Sequence, residues 1–345
     1  MALSLLQIQT TQERAVLRAF RDVIQSIDDQ VVLREVVALL EVNNVDGVIE
    51  LLGLDAETFE PFNESIRQSY LTGGLTGAQQ IGTIPSTYGT LVARFNVRNP
   101  AAEEWLRNTS TRLAVEITDD QRTAVREQLT MALAEGKGPR NAALDLVGRI
   151  NKDTGHREGG YVGLTSQQMK WTSEAERELR ELDPNYLNRK LRDKRYDKMF
   201  KIALGSDKPM TEAQITAATS ALRTRTLRYR AEVIARTESI NALRAGQHQA
   251  IEQAIAKGNL DRRDFTKFWD ATGDSRTRLD HMMMEQTYAE GIPFDQAFIA
   301  PDGSRLLFPG DTELGATGKQ VINCRCRERV QYNAAGKLRR LEGFG

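Results

Sequence analysis

The sequence predicts an α+β protein, predominantly α-helical through its N-terminal and middle regions, that closes in a compact α+β C-terminal domain of a long helix, short strands and a β-hairpin. Three observations predict it. Apolar residues recur at helical spacing along most of the first 220 or so positions. Aromatic residues make up only 6 % of the chain, sparse for a large β-sandwich. Period-two alternation and hairpin signals are concentrated near the C-terminus. The 345 residues suggest two or three compact units. The segments expected are an N-terminal helical docking region (1–70), an extended linker with a strand and a short helix (71–115), a helical middle domain (116–222), the α+β domain (223–335) and a tail (336–345).

Each element has its own signal. TQERAVLRAFRDVIQSI is preceded by Thr10, which has capping-box spacing to Glu13, and its Val16, Leu17, Phe20, Val23, Ile24 and Ile27 form one helical face. Val32, Val36, Leu39 and Leu40 continue the pattern in a second helix, NVDGVIELLGL reads as a third and DAETFEPFNESIRQSY as a fourth. LTGGLTGAQQIGTIPSTYG, rich in Gly, Thr and Ser, reads as an extended connection. Leu91, Ala93, Phe95 and Val97 alternate with polar neighbours as a strand, and Asn99-Pro100 can start a helix. Thr118 and Gln121 again have capping-box spacing. Gly136, Gly138 and Pro139 separate two helices that read as a helical hairpin or, less simply, a DNA-binding helix-turn-helix. Thr165 or Ser166 caps the next helix, and Arg223 to Lys257 reads as one long helix.

Charge is balanced overall but not along the chain. Residues 1–120 hold nine Arg, no Lys and 17 acids, a net of −8, so 121–345 carry +8. Such polarity suits protein contacts at one end and a polyanion at the other, or simple drift in surface composition. The basic residues concentrate in NYLNRKLRDKRYDKMFKIA: Arg189, Lys190, Arg192, Lys194, Arg195, Lys198 and Lys201, with Tyr186 and Tyr196 in the same stretch. A basic helix of this kind neutralises DNA phosphates without reading sequence, or is a solvated face whose acids and bases pair at i, i+4. No apolar run approaches the ~20 residues of a bilayer span, the N-terminus has no export signal, and two cysteines point to a reducing compartment. No membrane partner is expected.

The chemistry-bearing residues lie near the C-terminus. Glu238, Asn241, Ala245 and His248 share one face of the long helix. Phe265 to Trp269 reads as a strand, Gly273-Asp274-Ser275 as a turn before a helix carrying His281, and FIAPDGSRLLFPGD as a hairpin about Asp302-Gly303. KQVINCRCRERVQY reads as a strand with Cys324, Cys326, Val330 and Tyr332 on one face and Arg325, Arg327 and Arg329 on the other. Glu328 falls on the cysteine face, which implies a partner for it or an exposed strand end. Cys324 and Cys326 are too widely set on a strand for a relaxed disulfide. Either they are two small buried thiols, or they are half of a zinc site with His281 and a carboxylate such as Asp280 or Asp311. No nucleotide-binding loop, HExxH or GxSxG motif is present, and no catalytic residue is assigned.

The strings ARTE (235–238), FWDATGDSRTRLDH (268–281), PGD (309–311) and INCRC (322–326) resemble, in order and spacing, the Mu F-like minor head protein family of tailed bacteriophages. GLTSQQ and LRDKRYDK are similar to that family's helical region, so the likeness extends over most of 90–333. Its signature residues here are Arg236, Glu238, Asn241, Trp269, Asp274, Arg276, Asp311 and Asn323. Many members have His-Pro before C-x-C, where this chain has Val321-Ile322-Asn323, which removes one natural metal ligand. The resemblance implies a low-copy head component acting in procapsid assembly with the portal and with capsid or scaffold proteins, found in the virion after assembly in the host cytoplasm, and in some members touching double-stranded DNA. The alternative is that the C-terminal domain is a metal-dependent or transferase-like enzyme delivered with the genome, with Arg236, Glu238, His281 and the cysteines about one pocket.

Overall fold

A computed structural model describes residues 4–86, 89–206, 208–258 and 261–333. The chain is 64 % helical with a few short antiparallel strands, a mostly helical α+β fold as expected. In order the elements are α1 (Leu5–Gln30), α2 (Leu33–Glu41), α3 (Val45–Leu51), α4 (Glu60–Ile81), β1 (Thr83–Ser86), β2 (Gly89–Val92), α5 (Pro100–Ala134), α6 (Pro139–Val147), β3 (Arg149–Ile150), β4 (Arg157–Glu158), α7 (Ser166–Glu181), α8 (Asp197–Ser206), α9 (Glu212–Gly258), β5 (Phe265–Asp270), α10 (Leu279–Thr287), β6 (Ile292–Pro293), β7 (Phe298–Ile299), β8 (Arg305–Leu306), α11 (Gly318–Val321) and β9 (Arg327–Tyr332). Among the described residues no helix is long and apolar enough to cross a membrane. The expected tail, 336–345, lies outside the described residues.

The chain divides into two compact units, each assembled from separate stretches of sequence rather than from consecutive segments. One comprises Met1–Leu17, Asn63–Ser110 and Val233–Gly345; the other comprises Arg18–Phe62 and Thr111–Glu232. The second unit is helical. Phe20 packs against Phe59 and edge-on against Phe62, with ring centroids 6.4 and 5.7 Å away, and Val23, Ile24, Ile27, Val36 and Leu40 are buried with them. Most of the apolar stripe of the N-terminal helices thus faces the chain's own core, with Val32 left exposed. A buried ion network ties α6 and α7 to the first part of α9. Arg223, only 2 % exposed, donates to Asp145 (3.2 Å), Glu176 (3.0 Å) and the Tyr161 hydroxyl (2.6 Å), and Lys137 also pairs with Asp145.

Besides α9, which starts at Glu212 rather than at Arg223, three helix boundaries differ from the sequence reading. Helix α1 begins at Leu5, and Ser4 and Gln7 exchange the box hydrogen bonds one and a half turns before Thr10, whose hydroxyl instead donates to Leu6 O. Helix α5 runs unbroken through Thr118, which likewise donates to Ala114 O inside the helix. A Thr–x–x–Glu/Gln spacing marks a helix start only where the preceding residues are not themselves helical. The third difference is the stretch expected to be extended: α4 continues to Ile81. Its glycines serve a close helix crossing. A Cβ on Gly73 would lie 2.0 Å from Leu243 O, one on Gly77 2.9 Å from the Gln247 Cα, and one on Gly246 2.1 Å from Tyr70 O. Only glycine lets α4 and the second part of α9 approach this closely, and its helix-breaking tendency is outweighed by the contact. The strand expected over 91–97 is shorter, ending at Val92; Asn96 leaves the sheet to exchange hydrogen bonds with the Gln253 side chain (2.7 and 2.9 Å).

In the same unit β5 is flanked antiparallel by β6 and β9, with Lys267 opposite Val330 and Trp269 opposite Glu328. Burial along β5 alternates, placing Phe265, Lys267 and Trp269 inward. The hairpin about Asp302-Gly303 is present as β7 and β8.

Candidate functional site

The site grows from two chain reversals. Before α10, Asp274 accepts the Arg276 amide (3.0 Å) and exchanges hydrogen bonds with Thr277 (3.1 and 3.1 Å), an Asx-type turn that sets the start of the helix and thereby places His281 on its first turn. After α11, Asn323 takes a left-handed backbone, φ 59°. Its amide donates to the Thr237 hydroxyl (3.0 Å), and its side-chain oxygen accepts from Arg236 (3.1 Å), itself paired with Glu13 (2.8 Å). Arginine 325 then forks onto both oxygens of Asp274 at 2.6 and 2.7 Å, joining the two reversals. That bidentate pair holds the Asp274 carboxyl well below the usual carboxylate range.

Between them the side chains of Cys324 and Cys326, each 2 % exposed, meet that of His281, 1 % exposed. Cys326 Sγ is 3.3 Å and Cys324 Sγ 3.7 Å from His281 Nδ1, and both cysteines are free thiols. The expected strand is corrected here. Regular pairing begins only at Arg327, so the cysteines lie in the extended lead-in, released from the ladder by the turn at Asn323. The two-residue period still holds through that lead-in, which is why both sulfurs face inward while Arg325 faces Asp274. Hydrogen bonding from Cys324 draws the Cys326 thiol down to about 4 against the effect of burial; the shared proton and burial push Cys324 up.

A second layer orients the ring. Gln320, fully buried, receives His281 Nε2 on its side-chain oxygen (3.1 Å) and donates its amide nitrogen to Asp280 (2.8 Å) and Asp302 (2.9 Å). Trp269 packs edge-on to the imidazole, ring centroids 5.1 Å apart, and to Phe298 at 5.3 Å. Arg244 is buried with Nε and Nη2 lacking a hydrogen-bond partner, and burial lowers its pKa to about 10. Neither carboxylate expected as a further ligand joins the thiols. Asp280 stands one layer out, behind Gln320. Asp311 is wholly buried, and its oxygens are taken by the Leu307 and Glu313 amides at 2.7 and 2.8 Å; burial raises its pKa.

The remaining signature residues are less tightly joined to this centre. Asn241 is buried on α9 beside Gly310, Glu238 is half-buried and engaged, and the Arg276 side chain is exposed. His248, on the expected polar face of α9, stacks on Phe294 (4.4 Å) and stands 3.7 Å from Glu328, too far for a hydrogen bond, so the acid on the cysteine face keeps a buried Oε1 without a hydrogen-bond partner. Gln320, Thr237, Arg244 and Arg325 were not singled out by sequence as site residues. Gln320 stands four positions before Cys324 but belongs to no metal or catalytic motif, and Arg325 is visible only as the residue between two inward thiols.

The seven basic residues belong to the other unit and do not form one helix. Two short 3-10 turns, Pro184–Asn188 and Lys194–Tyr196, precede α8 because Asp183 and Asp193 cap new turns. Arg189 is paired with Glu178 (2.5 Å), Arg192 with Asp197 (2.9 Å) and Arg195 with Asp193 (2.7 Å). Tyr186 is buried against Phe200 and unavailable for stacking. Lys190, Lys194, Lys198 and Lys201 are exposed and make no ion pair among the described residues. A nearby groove of about 720 Å³ contains Arg149, Arg195 and Arg225, but these are tied to Asp145 and Asp193.

Compared with protein-family models, curated proteins and solved structures, the chain has no significant match.

Proposed function

We propose that this chain is a minor head protein of a tailed bacteriophage, a portal-associated component acting in head morphogenesis with capsid or scaffold proteins. One observation carries the reading beyond the resemblance itself. Three of the four separated strings that bear the likeness meet through side chains. Arg236 and Thr237 hold Asn323, Asp274 holds Arg325, and His281 and Trp269 close over the cysteines. A shared string order has a reason if its residues build one structural knot. The fourth string contributes Asp311, which fixes its own loop.

In this role His281, Cys324 and Cys326 act structurally, with zinc as the ion that their donors suit. The enzymatic alternative draws on the Cys326–His281 contact, but a nucleophile must reach its substrate, and burial of both side chains weighs against it. Contact with packaged double-stranded DNA would fall to Lys190, Lys194, Lys198 and Lys201. The protein would assemble in the host cytoplasm and remain in the virion. Co-expression of the full chain with the portal protein of the same phage tests the role: the two should co-purify and co-elute, and separate elution with normal heads forming in its absence would refute it.

A further inference from the structure

We propose that His281 Nδ1, Cys324 Sγ and Cys326 Sγ form a structural zinc centre that locks α10 to the lead-in of β9. It makes specific the structural role given to these residues above and does not depend on the head-assembly reading.

The hydrogen-bond network assigns the imidazole tautomer. Gln320 gives its amide nitrogen to two carboxylates, Asp280 and Asp302, so its oxygen must be the atom facing His281. An oxygen only accepts, and Nε2 therefore carries the proton. Nδ1 is left with a bare lone pair directed at both sulfurs. This is the arrangement by which outer-layer groups orient a metal-binding histidine.

The spacing also suits an ion. Zinc with Zn–S near 2.3 Å and Zn–N near 2.05 Å in tetrahedral geometry sets its sulfur and nitrogen ligands about 3.6 Å apart. The observed separations, 3.3 and 3.7 Å, bracket that value, and all three donor atoms lie within 4.8 Å of one another. Two thiolates and an imidazole are a soft-to-borderline set that favours zinc over magnesium or calcium.

The charges agree. Without an ion, the one lone pair of Nδ1 faces two sulfurs, at 3.3 and 3.7 Å, and can accept from one of them at most. The buried guanidinium of Arg244 then keeps two nitrogens without a partner. Deprotonating both thiols onto a dication supplies negative sulfur beside Arg244 and leaves the metal–thiolate group neutral. The trio fills three positions of a four-coordinate ion.

The full chain, purified under reducing conditions and stripped with chelator, is titrated with Co²⁺ and then Zn²⁺. About one equivalent of Co²⁺ should bind with a near-ultraviolet sulfur-to-metal charge-transfer band, and Zn²⁺ should displace it and raise the melting temperature. The Cys324→Ala/Cys326→Ala double variant should lose the band. Gln320→Leu, at a positioning residue, should keep the band but weaken metal affinity about 10–100-fold. Should the double variant fail to fold, the wild-type chain decides alone: Zn²⁺ must protect two thiols from alkylation in the stripped protein. No charge-transfer band and no rise in melting temperature in the wild-type chain, or an unchanged band in a folded double variant, overturns the centre. Either result leaves co-elution with the portal protein standing as a separate test.

Discussion

Gly246→Ala should destabilise the unit that carries the cysteine centre, although alanine is the better helix former. At an open helical site this exchange stabilises by up to about 1 kcal/mol, since glycine has the larger conformational entropy to lose. At Gly246 the added Cβ would stand 2.1 Å from Tyr70 O and 2.8 Å from the Gly74 nitrogen. Ordinary contact begins near 3.4 Å, so α4 and α9 must part by about 1.3 Å along that line. The same seam holds Gly73 and Gly77 against α9, and the aromatic stack of Tyr70 on Trp105 (4.6 Å) lies at its edge. Overpacking of this kind costs about 1–3 kcal/mol, and backbone atoms cannot swing aside as a side chain can, so a net loss of about 2 kcal/mol is expected. Gly205→Ala, in α8 with open space about its Cα, is the opposite-signed control and should gain stability. Urea unfolding of the two variants reads both signs. If Gly246→Ala unfolds at the wild-type midpoint or above it, the close crossing is wrong.

Arg223→Met takes the most buried cation from Asp145 and Glu176, leaving Lys137, Arg149 and Arg180 to answer them from more exposed positions, and should cost about 3 kcal/mol in urea unfolding, the low end for a broken buried pair because these cations remain. Burial favours protonation of Asp145, but Arg223 and Lys137 hold its pKa below the usual value near 3.8. Its contribution is therefore fully present above about pH 4 and is lost as pH falls through the lowered value; Asp145→Asn should flatten this part of the acid limb of a stability–pH curve. Replacing Lys190, Lys194, Lys198 and Lys201 together by Gln should weaken retention on double-stranded DNA and reduce the salt slope by about 4, read by fluorescence anisotropy across salt; an unchanged slope removes these residues from any DNA contact.

Local signals were legible where the local chain decides the structure. Thr165 caps α7 with a capping box to Gln168, Pro139 opens α6, and the hairpin at Asp302-Gly303 and the helix bearing His281 stand where expected. Errors arose where a distant segment overrides local preference. Gly73, Gly74 and Gly77 read as a loop because only the facing Leu243, Phe95 and Gln247 explain them. The basic run read as one cationic helix because Glu178, which takes Arg189, lies in the preceding helix, and because the caps at Asp183 and Asp193 break it. The site was half legible. The C-x-C alternation told that both thiols share a face, and His281 was named with them. Gln320 and Arg244 were invisible, because their part follows from contacts with Asp302 and Cys324 rather than from spacing. The N-terminal stripes were readable as helix faces but not as core, since sequence gives no sign of what covers them.

The central claim is a head component of a phage particle, and its most direct test is the location of this chain in purified particles. Intact heads should contain it at low copy beside the portal, and added protease should spare it until the shell is opened. Absence from the particles, or digestion with the shell intact, would contradict the account.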